Sequence, residues 1–222
     1  MTGMNKEEVA TSEILNDDEI IARILRGEKD LYSIIVRRYN QRLYRIGMSI
    51  INDDAEVEDA MQVAYINAYE NLGKFAFRSS FPTWLTRILI NECLLRLKKR
   101  KKTISMNDEN AENVMDQNKD PQTPVSVTVN SELRSILNDA ISRLPEIYRT
   151  VFVMREIENM NVAETKECLN ISEVNVKVRL NRAKAMLRDL LSVQYTKDDI
   201  LQFHLSRCDR MVDVVMKRIR DL

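Results

Sequence analysis

The 222 residues carry 34 basic and 34 acidic side chains and one histidine, so the formal net charge is zero. That balance argues against a protein coating nucleic acid along its whole surface, and 44% apolar residues are enough for one or two buried cores. No apolar run is long enough to span a bilayer and no signal peptide opens the chain, which together with Cys93, Cys168 and Cys208 lying far apart without a C-x-x-C pair points to the cytoplasm rather than to a disulfide framework.

With only 4 Gly, 4 Pro and 6% aromatics, and with apolar positions at helical rather than alternating spacing, the chain is expected to be nearly all helix. Met1 to Asn16 reads as a mobile arm. Asp17 to Gly27 predicts a short helix with Ile20, Ile21, Ile24 and Leu25 inward and Gly27 as its stop. Glu28 to Ile51 continues as a longer helix. Asn52-Asp53-Asp54 is a turn and cap, after which Val57, Ala60, Met61, Ala64, Tyr65, Ala68 and Leu72 form a helical stripe. The loop Gly73 to Ser80 holds Lys74, Phe75, Phe77 and Arg78. Ser79 or Ser80 caps the next helix, Pro82 sits in its first turn, and the helix ends in the basic run Lys98 to Lys102. These helices make a first domain over 17–102.

Residues 103–130 are polar, interrupted by Pro121 and Pro124, and without period, so they read as a flexible acidic linker. A second domain over 131–192 opens with a helix bearing Leu133, Ile136, Leu137, Ala140, Ile141 and Leu144, and Pro145 starts the next. Asn161-Val162-Ala163-Glu164 opens a further helix, Leu169-Asn170-Ile171 breaks it, and Ser172 caps the last one. Along that last helix Val176, Leu180, Ala183 and Leu187 keep one apolar stripe, while Lys177, Arg179, Arg182, Lys184 and Arg188 fall largely off it. A capped basic helix after a tight turn can set its first turns in a major groove while its flanks meet phosphates. The fold class expected is therefore all-α: two small helical domains joined by a flexible linker, the second a helix-turn-helix, winged-helix-like domain of three or four helices. Residues 193–222 read as a helical extension. Its His204 and Cys208 stand one turn apart, but a zinc site needs two more ligands, so no metal and no cofactor are expected.

Charge is unevenly distributed. Met1 to Ser33 has eight acids against four bases, whereas Arg87 to Lys102 has seven bases against Glu92 alone. Separate acidic and basic surfaces suggest one face for DNA and another for a protein.

At the residue level the chain resembles the extracytoplasmic-function group of sigma-70-family RNA polymerase sigma factors. The carrying segments are EDAMQVAYINAYENLGKF (Glu58–Phe75), FPTWLTRILINECLLRLKKRKK (Phe81–Lys102) and the stretch Leu144–Leu187, which holds the Leu-Pro-x-x-x-Arg start and the Val-Lys-x-Arg-Leu-x-Arg-Ala series. They occur in the family's order and cover most of Asp17 to Leu191. Departures are small: Asn170 stands where the family usually has Gly and Tyr65 where Phe is commoner, and Glu167-Cys168 replaces a small or apolar pair.

The resemblance implies a core-polymerase-binding face at Glu56, Asp59, Gln62, Asn67 and Glu70. It implies capture of the melted non-template strand of the minus-ten element by Lys74, Phe75, Phe77, Arg78, Trp84, Arg87 and Asn91, with Lys98 in the basic run on the backbone of the duplex upstream of the melted region. The minus-thirty-five duplex falls to Ser172, Glu173, Asn175, Lys177, Arg179 and Arg182, with Asn175, Lys177 and Glu173 at base edges and both arginines on phosphate. Implied partners are core RNA polymerase, promoter DNA and an anti-sigma protein, in the cytoplasm and on the nucleoid when in holoenzyme. The main rival is a dimeric helix-turn-helix regulator that binds an operator without polymerase. An enzyme is not expected: there is no Gly-rich phosphate loop, metal-ligand cluster or nucleophile elbow.

Overall fold

The computed structural model describes residues 15–107 and 129–194, and every regular element among them is helical. Outside these residues lie the arm up to residue 14, most of the acidic linker, and the extension with its His204–Cys208 pair. In chain order the helices are α1 (Asp17–Leu25), α2 (Tyr32–Ile50), α3 (Asp54–Glu70), α4 (Phe81–Asn107), α5 (Val129–Ser142), α6 (Glu146–Phe152), α7 (Val162–Leu169) and α8 (Glu173–Gln194). The region expected to be one helix from Glu28 begins instead with a 3-10 turn, Lys29–Leu31, before α2. At the far end α4 runs on to Asn107, into the stretch read as linker.

Local chemistry explains most of the ends. The Asn16 side chain accepts from the Glu19 N–H at 2.8 Å, and Asp53 does the same for Glu56 at 3.0 Å, so α1 and α3 each start on a side-chain cap. Gly27 stops α1 at φ +111°, a conformation open to glycine. Gly47 answers a different need: a Cβ there would meet Val57 Cγ1 at 2.7 Å, so its bare backbone sets how closely α2 and α3 cross. Leu25 is corrected by the structure. It is 55% exposed, because α1 ends at this residue and only Ile20, Ile21 and Ile24 face the core.

The main core joins α1 to α4 through residues such as Ile35, Leu43, Ile46, Val57, Ala64, Phe81, Leu85 and Leu89. It does not stop at the linker. Val153, Met154, Met160 and Cys168 belong to the same buried cluster, because α6 and the π-turn Val153–Ile157 pack on α2, and α7 packs on α4. A second, smaller cluster of Ala140, Leu144, Ala183 and Leu187 holds α5 to α8.

Polar groups mark the junction. The buried Arg149 guanidinium donates from Nε to the Ser49 carbonyl at 2.7 Å and from Nη1 to the Ser142 carbonyl at 2.8 Å. Thr150 Oγ1 donates to the same Ser49 carbonyl at 3.2 Å. Arg45 pairs with Glu158 at 2.9 Å, and the Cys168 thiol donates to the Thr83 carbonyl at 3.4 Å. Burial lowers the Arg149 pKa and pushes the Cys168 thiol up to about 12. Sequence reasoning marked Arg149 only as the closing letter of a motif.

Candidate functional site

Three surfaces gather the residues singled out from the sequence. The first is the outward side of α3. Burial of Val57, Ala60, Met61, Ala64, Tyr65 and Ala68 leaves Asp59, Gln62, Asn67 and Glu70 exposed on the opposite side, with Glu56 half-buried. Asp59 is not wholly free, since Arg96 Nη1 lies 3.9 Å from its carboxylate. Ile66, 57% exposed, stands on this same acidic and amide face. It was missed because the stripe pattern was used only to find the core; an apolar residue off the stripe was the available signal. An apolar side chain ringed by polar ones suits a protein-docking face.

The second surface is the loop between α3 and α4. Lys74 closes a 3-10 turn and its Nζ donates to Asn71 Oδ1 at 2.9 Å. Phe75 is buried rather than forming an exposed wall. Its ring centroid lies 4.6 Å from that of Phe77, 5.2 Å from Trp84 and 5.6 Å from Phe81, so it is the floor under the other rings. Phe77 is the ring that reaches solvent, 57% exposed, and it does so from φ +53°. A non-glycine residue with positive φ carries backbone strain, and such strain gathers where a loop must present a side chain. Arg78, Arg87 and Asn91 are exposed near this platform and Trp84 is half-buried in it, whereas Lys98, also exposed, lies about 21 Å further along α4 from Trp84. Ser80 starts α4: its carbonyl accepts from the Trp84 N–H at 3.1 Å and its hydroxyl bonds Thr83 Oγ1 at 2.8 Å. The platform thus combines an exposed aromatic face with cations, the chemistry that stacks unpaired bases and meets their phosphates.

The third surface is α7, its turn and α8. Asn161 and Glu164 form a reciprocal capping box at the start of α7, with contacts of 2.9 and 2.7 Å. Asn170 ends α7 at φ +51°, so asparagine does make the left-handed bend. Ser172 Oγ accepts from the Asn175 N–H at 3.2 Å and caps α8. Val176 and Ala183 are fully buried, and Asn175, Lys177 and Arg182 are exposed.

Two of the expected base or phosphate contacts are already engaged within the chain. Glu173 accepts from Lys166 Nζ at 3.0 Å, a hydrogen bond that holds its carboxyl below the ordinary range. Arg182 Nη1 donates to the Tyr148 hydroxyl at 3.2 Å, and Arg179 is half-buried. Lys184 pairs with Glu156 at 2.9 Å. Val174 and Val178, also missed from the sequence, are exposed on this helix. Among the described residues no group of three or more His, Cys, Asp and Glu side chains is placed to hold a metal ion, and no helix is long and apolar enough to cross a membrane.

Comparison with known proteins places these surfaces in context. Residues 35–103 match the family model for Sigma-70 region 2, and residues 134–187 match that for Sigma-70 region 4. The chain is 32% identical to the ECF RNA polymerase sigma factor SigW of Bacillus subtilis over 176 residues, which spans 77% of this chain and 94% of that protein. It is 28% identical over 173 residues to the RNA polymerase sigma-H factor of Pseudomonas aeruginosa, spanning 76% of this chain and 90% of that one. Among solved structures, the fold is shared with the sigma factor RpoE of Bartonella quintana in complex with the anti-sigma factor NepR, at TM-score 0.60 and 18% identity, covering 74% of this chain and 98% of that one. It is also shared with CnrH in complex with the cytosolic domain of CnrY, at TM-score 0.54 and 22% identity over 79% of this chain and 97% of that one.

Proposed function

The chain belongs to the ECF RNA polymerase sigma factors of the sigma-70 family, and from that membership we propose that it joins core RNA polymerase, recognises promoter DNA and promotes strand opening for transcription initiation. The observation that carries this reading is that the likeness to SigW runs through both helical regions and nearly the whole of that protein. Residues 17–102 form the unit for polymerase and the minus-ten element, and residues 131–192 the unit for the minus-thirty-five element.

On this reading the α3 face of Asp59, Gln62, Ile66, Asn67 and Glu70, flanked by Glu56, docks on polymerase, its acids and amides supplying orientation and Ile66 a desolvated contact. The Phe77 ring offers a stacking surface for an extruded base, supported from beneath by Phe75 and Trp84. Extrusion costs a few kcal/mol, about what one or two stacked bases return. Lys74, Arg78 and Arg87 meet the strand's phosphates, Asn91 offers a polar edge, and Lys98 meets the backbone of the duplex upstream. The first turns of α8 enter the major groove of the intact duplex with Asn175 and Lys177 toward base edges. Arg179 and Arg182 meet phosphate once Arg182 leaves Tyr148.

Neither unit needs to bind tightly alone, because polymerase fixes their spacing and so adds their contributions. The chain supplies recognition and melting rather than a reaction of its own, and it acts in the cytoplasm where polymerase and nucleoid meet. An anti-sigma protein is the expected inhibitor, since RpoE was solved bound to one.

Reconstituted run-off transcription tests this. Core polymerase plus the purified chain should start at a defined site that core polymerase alone cannot use. No new start site, or tight operator binding by a dimer of the chain without polymerase, rejects the proposal.

A further inference from the structure

Two valines stand on the outward side of α8, where solvent would favour polar residues. Val174 is 68% exposed and Val178 40%, and they lie one turn apart within the first two turns. At 100° per residue each sits about 160° around the helix from the buried Val176, so they point directly away from the core. Asn181 and Ala185 are exposed along the same line. Lys177 and Arg188 are exposed on one flank, and Asn175 and Arg182 on the other. A single exposed valine needs no account. A pair in register, centred between cations on the capped end of a helix, marks an apolar spot in a surface built for a polyanion.

The major groove offers one apolar group, the C5-methyl of thymine. Apart from the smaller C5–H of cytosine, the other features on a base edge there are donors or acceptors that a valine would strip of water without replacing the hydrogen bond. Side chains at i and i+4 have Cβ atoms roughly 6 Å apart, and base pairs rise by about 3.4 Å. We propose that Val174 and Val178 read the methyl groups of two thymines, one or two base-pair steps apart, in the minus-thirty-five duplex. This rests on the sigma-factor reading and adds to it the residues that set base preference. Asn175 and Lys177 then flank the methyl contacts instead of carrying recognition alone.

The test uses holoenzyme assembled from core polymerase and the full chain. Selection from promoters randomised through the minus-thirty-five region identifies the preferred sequence. Each thymine in it is then replaced by uracil, which removes only the methyl group, and affinity is measured with the native chain, Val174→Ala and Val178→Ala. Two positions should each lose about fivefold on uracil substitution, the scale of one buried methyl. Each loss should fall below about twofold with one alanine variant and persist with the other, the pattern of coupled partners. Val178→Thr, which keeps a methyl of similar shape, should retain most of the effect. Both positions are exposed, so thermal melting of each variant should match the native chain.

A preferred element without thymine, indifference to uracil, or equal uracil losses in native and alanine forms overturns the valine assignment while leaving the sigma reading intact. Selection that yields no preferred sequence, from a holoenzyme that initiates nowhere, overturns both.

Discussion

The two helical regions bury their apolar residues differently. The N-terminal region supplies most of one core: α1 to α4 contribute Ile20, Ile35, Leu43, Ile46, Val57, Phe81, Leu85 and Leu89, all essentially inaccessible to water. The C-terminal region divides its apolar residues. Ala140, Leu144, Ala183 and Leu187 form a small cluster at the α5–α8 side, while Val153, Met154, Met160 and Cys168 complete the core of the other region. Helices separated in sequence by the linker thus share one apolar interior. The C-terminal region has part of its own stabilising surface committed elsewhere, so the stability of α6 and α7 depends on what they rest against.

The contrast can be broken most strongly at Arg149. Replacing it with Met keeps apolar bulk but leaves the Ser142 carbonyl without this donor and the Ser49 carbonyl with only the 3.2 Å bond from Thr150. The expected cost is about 3 kcal/mol, from two charge-assisted bonds at a buried site. Urea unfolding should then split into two transitions, the C-terminal region melting first. A single transition with unchanged midpoint would contradict the shared interior.

Gly47→Ala attacks the other side of the comparison. The new methyl would meet Val57 Cγ1 at 2.7 Å, so α2 and α3 must move apart. Overpacking of this kind costs about 2 kcal/mol. Because α2 carries the C-terminal region as well, both regions should lose stability together, read as parallel shifts of two local probes.

Two buried thiols sharpen the contrast with less perturbation. Burial pushes both Cys93 and Cys168 up to about 12 from an ordinary value near 9. Each is therefore protonated in the folded state, and its contribution is intact below pH 9 and lost as pH rises from there toward 12. Between pH 9 and 10 each thiol should lower stability by about 1 kcal/mol, the unfolded thiol being half-ionised where that interval begins. Stability measured between pH 9 and 10, below the ordinary tyrosine range, should fall less steeply in Cys168→Ala than in the native chain. In a Cys208→Ser background, a maleimide should reach Cys168 at least about tenfold faster than Cys93, since local opening of the junction uncovers one and global unfolding the other. Equal rates would mean the regions come apart only by unfolding.

The smallest loss on substitution is expected from Arg45→Ala. Its bond to Glu158 spans the junction, and although the arginine is 45% exposed, the Glu158 side chain it would leave is only 8% exposed, so the loss should be about 1 kcal/mol and only partly screened by salt.

Helix count, caps and the helix-turn-helix were legible because they rest on local chemistry. Asn161 with Glu164, Asn170, Ser172 and Gly27 act within three or four residues of themselves, and short-range patterns are what a single sequence displays. The polar faces of α3 and α8 followed from the same periodicity. What escaped was non-local. Arg149 looks like any solvated arginine until Ser49, 100 positions away in the chain, is seen beneath it. Thr83 and Thr86 carry no sequence signal that marks them, yet both are buried, Thr83 beneath α7. Leu25 obeyed the stripe but ran out of neighbours at a helix end. Ile66, Val174 and Val178 were visible as apolar letters off the stripe, and only exposure turns such letters into contacts waiting for a partner.

The Ser49 carbonyl carries one further consequence. In the last turn of α2, the Gly47 and Met48 carbonyls accept from the Ile51 and Asn52 amides, and Ser49 is the next acceptor along. It is finished by Arg149 and Thr150. Whenever the C-terminal region swings away, that helix end frays, and the short hinge at Asn52-Asp53 that launches α3 loosens with it. Amide hydrogen exchange around residues 50–54 would therefore register the release of Arg149, almost a hundred residues downstream.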